Sequence, residues 1–519
     1  MFRKVTHFHF ENVPEELDSP GEYFIDREKM LLYFYPTQNV KDKVITLATL
    51  STDMISVKGA SNVVIEGMVL ESGRETAIRI DNIVQKKKVV ARSTNIRIEN
   101  CMIRNFNQWG VLVQGAHNTV VNGCHIYNMG AGGVKLGVEA KSYSLVKENN
   151  LVSNCEIHHI AFDQKSQVPG ITLAGCGNTA RNNEIYNTPH FAIKMKFTND
   201  CVAENNYMHD LPEYHHFDGG ALYLATGNQF YNRGNVIRYN YFENVHTNGA
   251  YLDNYTMGNT VEGNLFNNVG NSTKGSKNAA VYIHGGGQNK VVNNVAVDCP
   301  YAYKTGSHIV RASNTTNYLN TWYTDANTHF KAGSFLYNTF TTQYPELKLF
   351  IDKLHNSPAL IQNHVVNKNL KQISNAQNKK TQLDAYDKHG VTAFLKADGK
   401  QQDWSNWFEL RYQSTLFKNN LTCFATNKYL PNFKRTKGAY LLGGSSGVFL
   451  MAPYVLKTEG KTKKISNHVV QGNQVLNETP TSIGHLKNKD QFEFESKVRF
   501  DKLPGFLSID FESMGIQEE

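Results

Sequence analysis

The sequence predicts an all-β protein built as a right-handed parallel β-helix, in which short strands stack coil upon coil. Two observations support this prediction. Between residues 95 and 300, eight segments repeat the scheme Cys/Asn-x-apolar-x-Asn/Asp, with His159 once in the last position. The shortest spacing between successive segments is 23 residues, which suits one solenoid coil. Because one coil cannot bury its apolar face alone, neighbouring coils are expected to stack about 4.8 Å apart.

The first residues of the eight repeats form one vertical column when the coils are stacked. In chain order they are Cys101, Cys124, Cys155, Asn183, Asn206, Asn240, Asn264 and Asn294. Stacked asparagines can hydrogen-bond amide to amide as a ladder, so this column is expected to connect successive coils. We interpret the cysteines as small buried groups, because no C-x-x-C spacing indicates a metal site.

A second strand can be aligned in four successive coils, over residues 193–196, 222–225, 250–253 and 281–284. Because strand side chains alternate between faces, two columns of residues point outward. One column contains Lys194, Tyr223, Tyr251 and Tyr282, and the other contains Lys196, Ala225, Asp253 and His284. Stacked tyrosines beside ionisable groups indicate a sugar-binding platform. The alternative is a tyrosine stack that only stabilises the sheet.

Loops of unequal length follow the repeats and are expected to wall a cleft over these columns. The links are long after His159, Asp210 and Asn268, and function concentrates on such loops. The loop after Asp210 contains His215 and His216. We interpret both as exposed loop residues rather than metal ligands, because adjacent side chains seldom face one ion.

The composition excludes several classes of protein. The 519 residues are 40% hydrophobic and 19% charged, unlike a disordered chain. The net charge of +8 is spread along the chain, no nucleic-acid module is recognisable, and no run of 18 apolar residues occurs. We therefore expect a polysaccharide or oligosaccharide as partner, neither nucleic acid nor a membrane, a monomer, and no cofactor or metal.

Localisation is unknown from the sequence. The first residues carry no secretory signal. We expect that the natural N-terminus is missing, in which case the protein is extracellular.

Several segments carry a family resemblance. They are Thr188–Ile193, Asp218–Tyr223, Arg233–Phe242 and Tyr251–Asp253, together with Glu16–Tyr23 and Leu32–Pro36 before the repeats. Over residues 10 to 310 the chain resembles glycoside hydrolase family 141 and its β-helix relatives. The resemblance implies hydrolysis of glycosidic bonds in complex glycans, including α-L-fucosidase and xylanase activities, with Asp218 and Asp253 as the two catalytic acids.

Three positions depart from the pattern of that family. Phe217 stands where the family has Asp before the Asp218 equivalent, and Asn254 stands where it has a second Asp after Asp253. Ala225-Thr226 replaces Gly-Arg. These departures imply a changed specificity or a loss of activity.

Glycoside hydrolysis uses two carboxyl groups that flank one bond, one protonated and one ionised. Our hypothesis makes Asp218 the acid and Asp253 the base or nucleophile. In strict strand register Asp218 lies too far from Asp253, so the Gly219-Gly220 turn must fold it back. The substrate-binding candidates are His190, Lys194, Lys196, Tyr223, Arg233, Tyr251, Tyr282 and His284.

Two other functions are compatible with the sequence. A polysaccharide lyase or uronate epimerase would use Lys194, Lys196, His190 or Arg233 as base and charge neutraliser, with Ca²⁺ as an optional ion. A non-catalytic glycan-binding solenoid would bind without turnover. The fold alone decides none of these.

The domain organisation follows from where the repeats begin and fade. We expect an N-terminal β-hairpin region at 1–50, the β-helix core with its cleft at 51–330, an irregular and helical excursion with a late coil at 331–379, an insertion at 380–465, and the last coils and strands at 466–519. Residues 345–355 are expected to form a short helix, and the late coils are expected at Asn363–Asn369 and Asn467–Asn473.

Overall fold

The computed structural model divides the chain into two compact units, residues 1–49 and 50–519, which are described one at a time. The described residues are 11–140, 143–211, 218–227, 229–271, 278–306, 321–356, 415–425, 448–450, 454–458, 461–465, 469–476, 479–488, 491–501 and 506–517.

Residues 1–49 contain a short 3-10 helix, Pro14–Glu16, and an antiparallel hairpin of strands Tyr23–Asp26 and Leu31–Phe34. Asn12 fixes this hairpin. Its side-chain amide donates to the Ile25 carbonyl at 3.2 Å, and its Oδ1 accepts from the Ile25 amide at 2.7 Å. This hairpin is the small N-terminal β element that the sequence predicts.

In the second unit, the described residues form a right-handed parallel β-helix of three sheets with eleven strands each, which confirms the predicted fold. In each coil the chain passes through sheet A, then sheet B, then sheet C. Sheet A contains Ser61–Glu66, Thr94–Glu99, Val120–Asn122, Leu151–Ser153, Thr179–Arg181, Val202–Glu204, Val236–Arg238, Thr260–Glu262, Lys290–Val292, Leu416–Lys418 and Val469–Gln471. Sheet B contains Val69–Gly73, Met102–Phe106, His125–Met129, Glu156–His158, Glu184–Tyr186, Tyr207–Leu211, Tyr241–Val245, Leu265–Asn267, Val295–Val297, Leu421–Cys423 and Gln474–Leu476. Sheet C contains Ile55–Lys58, Ile78–Asp81, Val111–Gln114, Val134–Leu136, Pro169–Cys176, Phe191–Asn199, Gly220–Ala225, Asn248–Asp253, Val281–His284, Tyr303–Gly306 and Val448–Leu450.

The alternation of side chains along each strand forms the core inside the coils. In sheet B, Ile103, Ile126, Ile157 and Ile185 occupy successive positions of the parallel register and are fully buried. Burial of one such side chain stabilises the fold by about 1.5–3 kcal/mol. The residues on either side of them therefore point outward, and it is these positions that are available for function.

The predicted asparagine ladder lies at the turn between sheets A and B. The side-chain amide of Asn183 donates to Oδ1 of Asn206 at 2.8 Å, and Asn206, Asn240 and Asn264 continue the series at 2.9 Å per step to Asn294. Beyond the predicted column, the ladder extends to Asn420 and Asn473. The three cysteines at its start are buried and free, as the sequence predicts.

A second ladder, which the sequence analysis missed, lies at the turn between sheets C and A. There the Asn235 amide donates to Oδ1 of Asn259 at 2.8 Å, and Asn259 donates to Asn289 at 3.4 Å. Asn150 and Asn178 continue the same column in earlier coils. With Cys201 between Asn178 and Asn235, these residues recur at the same intervals as the first column, each five positions before one of its members, so the repeat already contained this signal.

Helices pack beside the coil that contains Arg233. Residues 321–328 are helical, and two further helices span Phe335–Gln343 and Pro345–His355, the second as predicted. Ser334 caps the first of these two, because its side chain accepts a hydrogen bond from the Tyr337 amide. Their apolar faces form a second core, whose members include Phe230, Tyr231, Tyr255, Met257, Trp322, Phe330, Phe340 and Phe350.

Part of the segment 380–465 differs from the predicted insertion. Leu416–Lys418, Leu421–Cys423 and Val448–Leu450 continue sheets A, B and C, so these residues form a further coil. The ladder residue Asn420 explains this, because it extends the asparagine column across the long excursion. Trp404, Trp407 and the predicted late coil at Asn363–Asn369 lie outside the described residues.

The remaining strands form antiparallel hairpins. They are Ile83–Gln85 with Lys88–Ala91, Tyr454–Thr458 with Lys461–Ile465, Gly484–Asn488 with Gln491–Phe494, and Lys497–Val498 with Ile509–Asp510. The C-terminal hairpins pack on sheet B, where Tyr241 contacts Phe494 and Phe511. Val469–Gln471 and Gln474–Leu476 form the last coil, as predicted for this segment. Among the helices in the described ranges, none combines the length and apolar character needed to span a bilayer.

Candidate active site

The two outward columns of sheet C stand in the register that the sequence predicts. Lys194 pairs with Tyr223, Tyr223 with Tyr251, and Tyr251 with Tyr282 along the parallel strands. In the neighbouring column Ala225 pairs with Asp253. Coil stacking therefore brings together residues that are about 30 positions apart in the chain.

The tyrosines differ from the open platform that was expected. Tyr223 and Tyr251 are only 7% and 3% exposed, since Phe191 stacks on the Tyr223 ring at 4.6 Å between centroids. Tyr251 and Tyr282 stack at 5.1 Å, and Lys304 lies over the Tyr282 ring at 3.7 Å. The tyrosines form a packed cluster, in which the hydroxyl groups of Tyr223 and Tyr251, rather than their ring faces, contact the acidic residues.

The Asp253 carboxylate is held by three hydrogen-bond contacts. Its Oδ2 accepts hydrogen bonds from the Tyr223 hydroxyl at 2.8 Å and from the Asn254 amide at 2.8 Å, and its Oδ1 lies 2.6 Å from Nδ1 of His284. Burial alone would raise the pKa of this carboxyl, but the hydrogen bond and charge of His284, with the Tyr223 hydroxyl, hold it below its ordinary value. Asp253 is therefore ionised at neutral pH.

The hydroxyl group of Tyr251 connects the two predicted catalytic acids. It donates to Oδ1 of Asp218 at 3.1 Å and lies 3.1 Å from Nδ1 of His284, which in turn contacts Asp253. This chain of contacts places the two carboxylate oxygens at most about 9 Å apart, which does not exceed the largest separation that glycosidases use. Strict strand register predicted that Asp218 lies too far from Asp253, and the long side chain of Tyr251 spans this distance.

His190 fixes the backbone at Asp218. Its Nδ1 accepts from the Gln167 amide at 2.8 Å, so the neutral ring carries its proton on Nε2, which lies 2.9 Å from the Asp218 carbonyl oxygen. The ring is buried and stacks on Phe191. His190 therefore positions the residue that was predicted as the acid, and the exposed Asp218 side chain lies at the edge of the cluster.

The two candidate lysines form a separate cation cluster around a carboxylate that the sequence analysis missed. Glu139 lies 3.2 Å from Lys194, 3.9 Å from Lys196 and 3.0 Å from Lys135. Burial raises the pKa of Glu139, but Lys194 and Lys135 outweigh it and lower the pKa below its ordinary value. Burial lowers the pKa of Lys194, although Glu139 opposes the shift. No repeat position marks Glu139, so the pattern gave no signal for it.

Arg233 lies outside this site, in contrast to the sequence-based expectation. Its side chain is fully buried, and its guanidinium pairs with Glu346 at 2.6 Å and hydrogen-bonds to Gln288 at 2.7 Å. It therefore connects the β-helix to the helix Pro345–His355 and cannot reach a glycan. His215 and His216 lie outside the described residues, as does Phe217.

The comparison with protein families agrees with this architecture. A family model described as the right-handed β-helix region matches residues 32–169 and 152–322, more than half of the chain. The chain belongs to the right-handed β-helix family. The description of this model names no glycoside hydrolase family, so the resemblance to glycoside hydrolase family 141 stays a prediction. A search of curated proteins gives no match.

Two solved structures resemble parts of this chain at low similarity. One is described as a glycoside hydrolase, with 12% identity and a TM-score of 0.32, over 55% of this chain and 54% of the other. The second is a mannuronic acid-specific polysaccharide family 6 lyase from human gut microbiota, with 12% identity and a TM-score of 0.31, over 49% of this chain and 62% of the other. Each match thus spans less than two thirds of the length of the other chain.

Proposed function

We propose that this β-helix protein is a carbohydrate-active enzyme that hydrolyses glycosidic bonds of a complex polysaccharide or oligosaccharide, as α-L-fucosidases and xylanases do. One observation supports this most strongly. Two carboxylates from neighbouring coils, Asp218 and Asp253, are connected through Tyr251 and His284 within a span of about 9 Å. No cofactor is required for this reaction.

Asp253 acts as the base in this proposal. The Tyr223 and His284 contacts keep it ionised, and it is only 4% exposed. We assign it the role of base rather than nucleophile, so that water and not the carboxylate attacks the sugar. The water that Asp253 deprotonates attacks the anomeric carbon, and we therefore expect inversion of configuration.

Asp218 acts as the acid. Its side chain is exposed at the edge of the cluster, where a glycosidic oxygen can reach it, and His190 fixes its backbone. It donates its proton to the leaving oxygen as the bond to the anomeric carbon breaks. The proton that water gives to Asp253 then returns to solvent, and Asp218 is reprotonated.

The test is release of reducing ends from a panel of glycans that begins with α-L-fucosides and xylans. We expect the wild type to release reducing ends and the variants Asp218→Asn and Asp253→Asn to lose at least about 100-fold in kcat/KM. Asp352→Asn, in the helix Pro345–His355, is the matched control because that aspartate pairs with Lys348 away from the site. Full activity in either site variant contradicts the proposal, provided that circular dichroism shows intact folding.

A lyase is the second candidate, and one observation favours it. The Lys194 ammonium is buried and its pKa is lowered, and it lies in a cation cluster with Lys135 and Lys196. Such a cluster could neutralise a uronate carboxylate while a lysine removes the α-proton.

The two reactions differ in their products. A lyase forms an unsaturated sugar that absorbs in the ultraviolet, whereas hydrolysis forms a saturated reducing end. Alginate and pectate are suitable substrates for this test. Ultraviolet absorbance that is lost in Lys194→Met but kept in Asp253→Asn would favour the lyase, and reducing ends without such absorbance would favour the hydrolase.

A further inference from the structure

Sheet B presents a second cluster of ionisable side chains on its outer surface. His125 pairs with Glu156, and Tyr127 with His158, in the parallel register of two neighbouring coils. Because Ile126 and Ile157 fill the core, these four side chains point outward. The cluster belongs to sheet B and is separate from the carboxylate pair of sheet C.

Three of these residues direct nitrogen and oxygen atoms at one point. Nε2 of His125 lies 2.8 Å from Nε2 of His158, and the two Glu156 oxygens lie 3.6 Å and 3.8 Å from these nitrogens. All three donor atoms lie within 4.8 Å of one another. Ligands of a tetrahedral zinc ion with bonds of about 2.0–2.1 Å are about 3.3 Å apart. Side-chain shifts of a few tenths of an ångström would therefore seat an ion among them.

Neighbouring side chains hold the ligands in the required orientation. Nδ1 of His158 lies 2.6 Å from Nδ1 of His159, so a proton on the His158 nitrogen leaves Nε2 as a lone-pair donor. The Tyr186 hydroxyl donates to Oε1 of Glu156 at 2.7 Å. The His158 ring is stacked between Tyr127 and Tyr186 at centroid distances of 5.2 Å and 4.7 Å.

The charges around the cluster suit a cation. Glu184 pairs with Glu156 in the next coil and adds a further carboxylate. The nearest cation of the column, Arg104, is paired with Glu71 at 2.7 Å.

We propose that His125, Glu156 and His158 form a binding site for a first-row transition-metal dication such as Zn²⁺. Two imidazole nitrogens and one carboxylate supply three ligands, and water completes the fourth position. The ion joins two successive coils of sheet B. This site goes beyond the proposed hydrolase, because it lies on another face and its test needs no activity.

Zinc binding to the full chain tests the proposal. The protein is stripped with a chelator, dialysed, and titrated with ZnCl₂ by calorimetry, and the visible absorption of Co²⁺ reports tetrahedral coordination. We expect the wild type to show a binding event that His158→Gln and Glu156→Gln weaken by at least about 100-fold. We also expect Zn²⁺ to raise the Tm of the wild type and not that of His158→Gln.

The matched control is His485→Gln, since this exposed histidine pairs with Glu495 in a hairpin elsewhere. It should bind Zn²⁺ as the wild type does. Equal stoichiometry and Kd in the wild type and in the double variant His125→Gln/His158→Gln would overturn the proposal. So would a wild type that binds no Zn²⁺, because the two imidazoles would then be joined by a direct hydrogen bond alone.

Discussion

The hydroxyl group of Tyr223 donates a 2.8 Å hydrogen bond to Oδ2 of Asp253, which stands one coil further along the β-helix. The bond exists because Tyr223 pairs with Tyr251, and Ala225 with Asp253, in the register of sheet C. The stack of Tyr223 on Phe191 holds the hydroxyl in place. The stacking of coils thus sets the environment of the carboxylate.

Replacement of Tyr223 by Phe should shift the pH dependence of activity. The change removes one donor to Asp253, whose pKa then rises towards its ordinary value of 3.8. We expect the acidic limb of kcat/KM to move to higher pH by up to about one unit, with a roughly tenfold lower kcat. Tyr337→Phe is the matched control, since that hydroxyl donates to Asp352 in the helical excursion. An unchanged acidic limb in Tyr223→Phe would contradict the assigned contact.

Replacement of Asn240 by Ala should destabilise the whole β-helix. This fully buried amide donates to Asn264 and to the Ala203 carbonyl, and its Oδ1 accepts from Asn206. Loss of these bonds leaves buried groups without partners, so we expect the free energy of unfolding to fall by about 2–4 kcal/mol. Denaturant titration measures it.

The control for the ladder variant is Asn338→Ala, at an exposed position of the helix Phe335–Gln343. Its free energy of unfolding should stay within about 0.5 kcal/mol of the wild type. Equal free energies of unfolding for the two variants would contradict a stabilising role of the asparagine ladder.

Replacement of Glu139 by Gln should reduce stability in a pH-dependent manner. At pH 7 the variant leaves Lys194 buried without its carboxylate partner, and we expect a loss of about 1–3 kcal/mol. Because the folded-state pKa of Glu139 lies below its ordinary 4.5, the stabilisation is present above pH 4.5 and is lost as the pH falls through the folded-state pKa.

The difference in unfolding free energy between wild type and Glu139→Gln should therefore shrink below pH 4.5. Glu493→Gln, which removes an exposed contact with Lys487 of 3.9 Å, should show almost no difference at either pH. A difference for Glu139→Gln that grows in acid would be inconsistent with the ion cluster.

Replacement of Arg233 by Met separates a structural role from substrate binding. The fully buried guanidinium pairs with the half-exposed Glu346 at 2.6 Å, so the change should lower stability, and Arg233→Ala should lower it further by leaving a cavity. We expect kcat/KM of Arg233→Met at low temperature to stay within about threefold of the wild type. A large rise in KM with unchanged stability would restore Arg233 as a substrate contact.

The repeat pattern predicted the fold because it follows from stacking. Cys101 through Asn294 recur at one position of successive coils, and the same alignment placed Tyr223, Tyr251 and Asp253 in their observed register. Inward and outward positions follow from alternation within each strand. These features depend only on local or periodic patterns, so a single sequence is enough to predict them.

The contacts between side chains could not be predicted in the same way. Burial of the tyrosines depends on Phe191 in the preceding coil, and the position of Glu139 depends on a loop without a repeat. Arg233 was predicted as a substrate contact, but its partner Glu346 comes from the helix Pro345–His355, more than 100 residues away in the chain. The repeats already align His125 with Glu156 in the register of sheet B, but the convergence of their side chains with His158 depends on side-chain conformations that the repeat does not specify.

Chemical rescue of Asp253→Ala tests the central claim most directly. On a glycan that the wild type cleaves, this variant should be nearly inactive because no base activates water. Azide, a small anion that needs no base, should occupy the space of the lost carboxylate and restore turnover, with a glycosyl azide of inverted configuration as the product. Hydrolysis by Asp253→Ala at the wild-type rate without azide would contradict the account.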